Sequence, residues 1–387
     1  MINKQVLFAL VVATSIQVAH SAEWSLTSTL NPSVTYDDNV FLSENEQSSM
    51  HYAMTPTVLL SRAVEDMVLS LSAGYQIDRY SSLSSDNDTE NPFVRFDSSY
   101  NMERSQYGLS ASYQEATSRS TAAEDTGDFA TQSINRTRSI SPSYSYQWTE
   151  RDTLSLNGSY SERLSSTSSF SDTESKSLTA GWQHQYSERL SAGLNATFSN
   201  YKSEGLTLNT DDDNYNLSTS MTYALSELWS LTGNIGARKL NSERTSTLTG
   251  ITSDDTSTGS TFGFSAIRTD DINTYTLDLS RGVSPSGTGD VNESDSINAS
   301  WSHPISERLT ANVLAGYRET TSALEESSGK RKNITFSPSL SWQLERNLRL
   351  NFKYNYRKQT QDSGRSTDSN AVSVTLNYDW DGIRVSR

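Results

Sequence analysis

The sequence predicts an all-β fold, a single up-and-down antiparallel transmembrane β-barrel of about eighteen strands. Three observations predict it. Apolar and polar residues alternate with a period of two in segment after segment: Leu69, Leu71, Ala73, Tyr75 and Ile77 interleave with Ser70, Ser72, Gly74, Gln76 and Asp78. Successive strand side chains point to opposite faces, so each segment carries one apolar and one wet face. Short turns alternate with long Ser/Thr/Asp-rich loops along the whole chain, the asymmetry of outer-membrane barrels. Mean hydropathy is negative and only 34% of residues are hydrophobic. After the first twenty residues, no apolar run approaches the roughly 18 needed for a membrane helix.

The elements follow in order. Lys4, the apolar stretch 6–13 and the small residues Ser21 and Ala22 read as a secretory signal peptide over 1–22, bound for the bacterial outer membrane. An anchor helix is the alternative, but the apolar run is short and has no stop-transfer flank. The barrel proper is expected over 23–380. Strand 25–36 rises to a long loop at 37–50, and 50–62 descends to a loose turn between Arg62 and Asp66. Strand 66–80 rises to loop 81–91, and 92–103 descends to the turn around Glu103 and Arg104. Strand 105–118 leads to loop 119–133, and 134–148 returns to the turn Thr149, Glu150, Arg151, Asp152. Strands 153–164 and 175–186 end at Ser187, Glu188 and Arg189. Strands 190–202 and 214–225 flank loop 203–213 and end at Ser226 and Glu227. Strands 229–241 and 258–268 flank loop 242–257 and end near Asp270. Strands 273–283 and 294–305 flank loop 284–293 and end at Ser306, Glu307 and Arg308. Strands 309–321 and 332–343 flank loop 322–331, and 348–360 and 370–380 flank loop 361–369. Ser161, Glu162, Arg163 and Leu164 mimic the turn signal, but a turn there breaks the up-down parity, so they read as a strand end. Residues 381–387 read as a periplasmic tail. Such barrels usually end on an aromatic residue, whereas here the pattern ending in Tyr378 and Trp380 is internal.

An even strand number brings the first and last strands together to close the sheet. Closure matters because an unpaired edge leaves amides unsatisfied in hydrocarbon, at several kcal/mol each. A propeller repeat of similar length needs four short strands rather than two long ones, and its Gly-His and Trp-Asp punctuation is absent.

Parity assigns the faces. Tyr144, Trp148, Trp182, Tyr186, Trp229, Trp301, Trp342, Tyr378 and Trp380 fall on the apolar face, many beside short turns, as an aromatic girdle requires. The opposite, lumen-lining face is Ser, Thr, Asn, Gln and Gly, and it also carries Asp78, Arg95, Asp97, Arg238, Asp278, Arg318, Arg349, Lys353, Arg357 and Asp379. Arg349, Lys353 and Arg357 are spaced by four on one strand. Two readings stand for them, a positive ladder guiding a solute or struts paired with Asp379. Tyr80, Phe93 and Tyr201 point inward near the outer mouth, too few for a continuous aromatic track.

Composition excludes several functions. The net charge of −15 argues against nucleic acid. With no cysteine there is neither a disulfide framework nor a lipid-modified cysteine. The acidic clusters near 84–90, 210–214 and 253–256 read as solvated loops and do not match the calcium-loop spacing. His20 lies in the signal, His51 borders the first loop, and His184 and His303 sit at turn ends without a serine and acid beside them. No enzyme, metal or cofactor is expected.

The phrase Asn31, Pro32, Ser33, Val34, Thr35, Tyr36, Asp37, Asp38, Asn39, Val40, Phe41 resembles the opening strand and first loop of the outer-membrane β-barrel proteins associated with exopolysaccharide biosynthesis and export loci. The match lies at Pro32, Tyr36, Asn39, Val40 and Phe41, and the rest of 24–380 is similar in its hairpin pattern. The resemblance implies a conduit for secreted polysaccharide. Its expected partners are a periplasmic polysaccharide export protein, the barrel-assembly machinery, the lipid bilayer and lipopolysaccharide. A passive porin for small hydrophilic solutes, or a surface structural or adhesive barrel, are the alternatives. A barrel this wide leaves an aqueous channel. No loop stands out as long enough to plug it, so constriction is expected from inward side chains or a periplasmic partner.

Overall fold

The computed structural model describes residues 23–324 and 329–386; the expected signal peptide lies outside them. Eighteen antiparallel strands follow one another around a ring. They are β1 (Glu23–Asp37), β2 (Ser49–Val64), β3 (Met67–Tyr80), β4 (Thr89–Asn101), β5 (Ser105–Thr117) and β6 (Ile134–Gln147). Then come β7 (Asp152–Ser165), β8 (Asp172–Gln185), β9 (Leu190–Glu204), β10 (Leu208–Ala224), β11 (Trp229–Ser246) and β12 (Thr252–Thr269). The ring continues through β13 (Thr274–Pro285), β14 (Val291–Pro304), β15 (Leu309–Ser322), β16 (Arg331–Glu345), β17 (Leu348–Gln361) and β18 (Ser366–Ser386). β1 pairs with β2 on one side and β18 on the other, so the barrel is closed.

The short turns are built by the hydroxyl that precedes their charges. Ser187 Oγ accepts from the amides of Arg189 and Leu190 at 3.3 and 3.1 Å, and Ser306 Oγ does the same for Arg308 and Leu309 at 3.3 and 3.2 Å. Asp270 takes that place before β13, accepting from the amides of Ile272 and Asn273 at 3.2 and 2.7 Å. This local capping lets a two-residue reversal close without glycine.

The outward parity carries the exposed apolar belt, for example Leu194, Leu217, Ile235, Phe264, Ile297 and Phe352. A greasy belt around a polar interior is a barrel for lipid, and the chain is an outer-membrane protein.

Three features depart from the sequence reading. Segments 203–213 and 242–257, expected as loops, mostly extend β9 to β12: β10 and β11 stay paired up to Leu208↔Ser246, and β11 and β12 up to Thr245↔Thr252. Their few apolar residues, Leu206, Leu208, Leu248 and Ile251, do not recur at every second position, so no continuous greasy face marks these segments as strand. Residues 381–386 do not leave as a tail. They continue β18 against β1, from Leu26↔Ile383 to Glu23↔Ser386, past a bulge at Gly382. Gly382 has φ +76° and faces the Leu26 carbonyl where a side chain would clash, so only glycine fits. The third departure is a plug, which belongs to the site.

Candidate lumen and its constriction

Three extracellular loops fold into the barrel, contrary to the expectation that none is long enough to obstruct it. The loop between β5 and β6 begins with the short helix α1 (Ser118–Thr121). It reaches into the lumen, where side chains of β14, β16 and β17 meet it from the far side of the ring. Its landing contacts are distributed over the far wall. Asn292 on β14 and Arg331 on β16 donate to the Asp125 carbonyl at 3.1 and 2.7 Å. Asn333 donates to the Ala123 carbonyl at 3.1 Å, and Gln359 on β17 to the Gly127 carbonyl at 2.9 Å. Gly127 has φ +73° and packs against Arg331.

Asp125 is where the constriction is tied. Its carboxylate accepts from Arg163 Nη1 at 2.5 Å, from the Ser286 hydroxyl at 2.9 Å and from the Gly287 amide at 2.7 Å. Charge-assisted bonds of this kind are the stronger ones. The loop between β1 and β2 completes the plug from the other side. Leu42 packs with Ala122 and Phe129 in a buried apolar cluster, and the Arg119 guanidinium sits over the Phe41 ring at 4.7 Å. Asn39 is buried and shapes that first loop, with its amide donating to the carbonyls of Ser43 at 2.8 Å and Asp368 at 3.0 Å.

The β13–β14 hairpin forms the third inward element. Pairing between β12 and β13 stops at Phe262↔Arg281, although both strands run on. Beyond that point the hairpin leans inward, and its outer face packs on the inner face of β9 to β11. Val291 and Val283 meet Leu240 and Tyr201 there. Arg238 Nη2 reaches Glu293 at 2.5 Å, and Arg244 Nη2 reaches Asp290 at 3.0 Å.

The charged residues of the polar face do different things. Asp78 is buried, 2.7 Å from His51 Nε2, and takes the Thr89 hydroxyl at 3.3 Å. Arg95 and Asp97 pair with each other through contacts of 2.6 and 3.1 Å. Arg318 lies 3.8 Å from Glu124 of the cross-lumen loop. Arg357 bonds Asp37 at 2.7 Å and the Ser369 hydroxyl at 3.1 Å, and stands over Phe129. Arg349 donates to Gln343 at 3.0 Å. Among the described residues Lys353, Asp278 and Asp379 have no ion pair. The three basics of β17 therefore divide: Arg357 is a strut, though to Asp37 rather than Asp379, and Lys353 is free in a groove with Ser300, Asn312, Ser337 and Ser339.

Asp125, Arg163, Arg331 and Gln359 carry the constriction and went unseen in the sequence. The one local sign was Ala122, Ala123, Phe129 and Ala130 inside an otherwise hydrophilic loop, where apolar side chains need something to pack on.

A closed eighteen-strand barrel with an apolar belt, a polar bore and loops folded into it defines an outer-membrane β-barrel of the channel-forming width. No family model matches this sequence, and no curated protein matches it either. Among solved structures the fold is similar to that of OccAB4 from Acinetobacter baumannii, with a TM-score of 0.50 at 11% identity, covering 94% of this chain and 98% of that one. It is also similar to the ferric-catecholate import receptor Fiu from E. coli K12 in its open form, with a TM-score of 0.50 at 10% identity over 91% of this chain and 81% of that one. The ferric citrate transporter FecA gives a TM-score of 0.50 at 10% identity, and 86% of this chain spans 60% of its length.

Proposed function

We propose that the protein is a diffusion channel that passes small hydrophilic solutes across the outer membrane. The observation that carries this is the bore itself, a wall of hydroxyls and amides narrowed across its diameter by the loop that lands on β14 to β17. A hydroxyl-lined passage offers solutes replaceable hydrogen bonds in place of their water, without a deep binding site. The lumen-facing charges left unpaired, Lys353 and Asp278 among them, are proposed to tune ion preference.

Polysaccharide export, implied by the resemblance at Pro32, Tyr36, Asn39, Val40 and Phe41, is less well supported. A polymer needs a clear bore, and the three inward loops meet on its path. The phrase also has a structural explanation: Asn39 and Val40 are buried and Phe41 lies under Arg119, so it folds the first loop inward.

The test is paired. Purified barrels in a planar bilayer should give steady conductance without a partner protein, and a clean deletion strain should lose uptake of a small solute while keeping its surface polysaccharide. Loss of surface polysaccharide with unchanged solute uptake would reverse the choice in favour of export.

A further inference from the structure

The β13–β14 hairpin is built unlike the other hairpins. On the β12 side its arm is released after Arg281, where pairing ends at Phe262. The next residue, Gly282, has no heavy atom within 4 Å of the place a Cβ would occupy. Gly287 and Gly289 lie in the turn beyond Pro285. From Gly282 to Pro285 the arm is paired to β14 alone, from Gly282↔Ser294 to Pro285↔Val291, so the tip hangs on one ladder where the other strands have two.

The surface the hairpin covers is polar and incompletely satisfied. Arg238 is almost fully buried, yet its Nε and Nη1 have no hydrogen-bond partner in the protein, and the same holds for Asp212 Oδ1, Asn214 Oδ1 and Ser203 Oγ. Orphaned buried donors and acceptors oppose docking, since water satisfies them when the hairpin lifts. The apolar patch of Leu240, Val291 and Ala323 and the Arg238–Glu293 and Arg244–Asp290 pairs favour it. The tip is further held from two sides. The Ser171 amide donates to the Gly287 carbonyl at 2.8 Å, the Thr210 hydroxyl donates to the Gly289 carbonyl at 3.0 Å, and on the lumen side stands Asp125.

We propose that residues 282–291 form a hinged flap over the extracellular entrance of the channel, latched shut by Asp125 of the cross-lumen loop. A surface that carries both favourable contacts and unsatisfied polar groups lets such an element occupy a docked and a lifted state. When the Ser286 and Gly287 contacts to Asp125 break, Arg163 retains the carboxylate, so the latch reforms at the same place. Lifting the flap opens the space between the cross-lumen loop and the β9–β11 wall. The inference rests on the channel reading and adds to it where the channel opens.

The experiment uses the absence of native cysteine. A Cβ at Gly287 stands 3.3 Å from Thr126 Cγ2 and 2.6 Å from Arg163 Nη2, so once the end of the Arg163 side chain moves aside the double variant Thr126→Cys/Gly287→Cys places two thiols within disulfide reach when the flap is shut, and Gly287→Cys alone controls for that displacement. Conductance of the full barrel is recorded oxidised and then after reductant, on the same molecules, with heat-modifiable migration confirming the fold. The oxidised form should sit in a low-conductance state, and reduction should raise mean conductance by roughly twofold or more. Asp125→Asn, with no cysteine present, should lengthen the open periods. Equal conductance in the cross-linked and reduced states would overturn the flap while leaving the channel standing. If folded wild-type, reduced double-variant and Asp125→Asn barrels all fail to conduct, the channel reading falls and the flap with it.

Discussion

Asp125 shows how much one carboxylate does when it is placed where three chain segments meet. The Arg163 side chain is largely enclosed and Gly287 is buried beside it. Removing the carboxylate leaves a mostly buried guanidinium without its partner. Asp125→Ala should therefore lower the opening free energy of residues 119–131 by roughly 3 kcal/mol, read by hydrogen exchange, with the strand amides unchanged. Facing is also decided residue by residue. Cysteines at Ser70, Asn195 and Asn351 should react with water-soluble thiol reagents, and those at Leu71, Leu194 and Leu350 should not. Arginine at Leu194 should destabilise by roughly 2–4 kcal/mol, the lipid-face penalty, and arginine at Asn195 by far less. Equal cost at the two neighbours would refute the assigned faces. Lys353, free of any ion pair among the described residues, should report on permeating ions. Replacing it and Arg349 by glutamate should shift the reversal potential toward cation preference.

At the scale of the element, the periplasmic turns repeat one solution with interchangeable parts. Ser187 and Ser306 use a hydroxyl where Asp270 uses a carboxylate. Burial pushes the Asp270 carboxyl up, but the amides of Ile272 and Asn273, the Asn273 side chain and the nearby Arg268 outweigh it and hold the group below the ordinary carboxylate range. A depressed folded pKa means that the turn gains stability above the unfolded value and loses it as pH falls through the folded one. A site-resolved titration should place Asp270 below free aspartate, and a value at or above it would remove the carboxylate from this role. Ser187→Ala and Ser306→Ala should each cost about 1 kcal/mol, the net worth of a hydrogen bond of this type.

The whole molecule stands between an open pipe and a sealed plug. The ring of strands is continuous at β1 and β18, and its weakest seam is β12–β13, where the wall overlaps itself above Phe262. A closed barrel resists detergent unfolding because no edge strand is available to start it. The protein should therefore fractionate with the outer membrane and migrate anomalously on gels until heated. Heat-independent migration of a soluble product would contradict the fold.

Period-two alternation, punctuated by the recurring turns, determined that the chain is a barrel of eighteen strands, because lipid contact acts on every second residue of each strand independently of its neighbours. Within the belt the strand ends followed from the turns, which are local chemistry centred on Ser187, Ser306 and Asp270. Where the wall leaves the lipid that constraint vanishes, and with it the signal: β10, β11 and β12 run five or six residues beyond the expected ends. The constriction was decided only by the tertiary structure. Asp125 finds Arg163 on β7, Gly287 beyond β13 and Arg331 on β16, partners 38, 162 and 206 residues away in the chain. Curvature of the closed sheet is what brings those strands around one lumen. No pattern read along the chain contains that distance, so a hydrophilic loop and a plug look alike until the ring is closed.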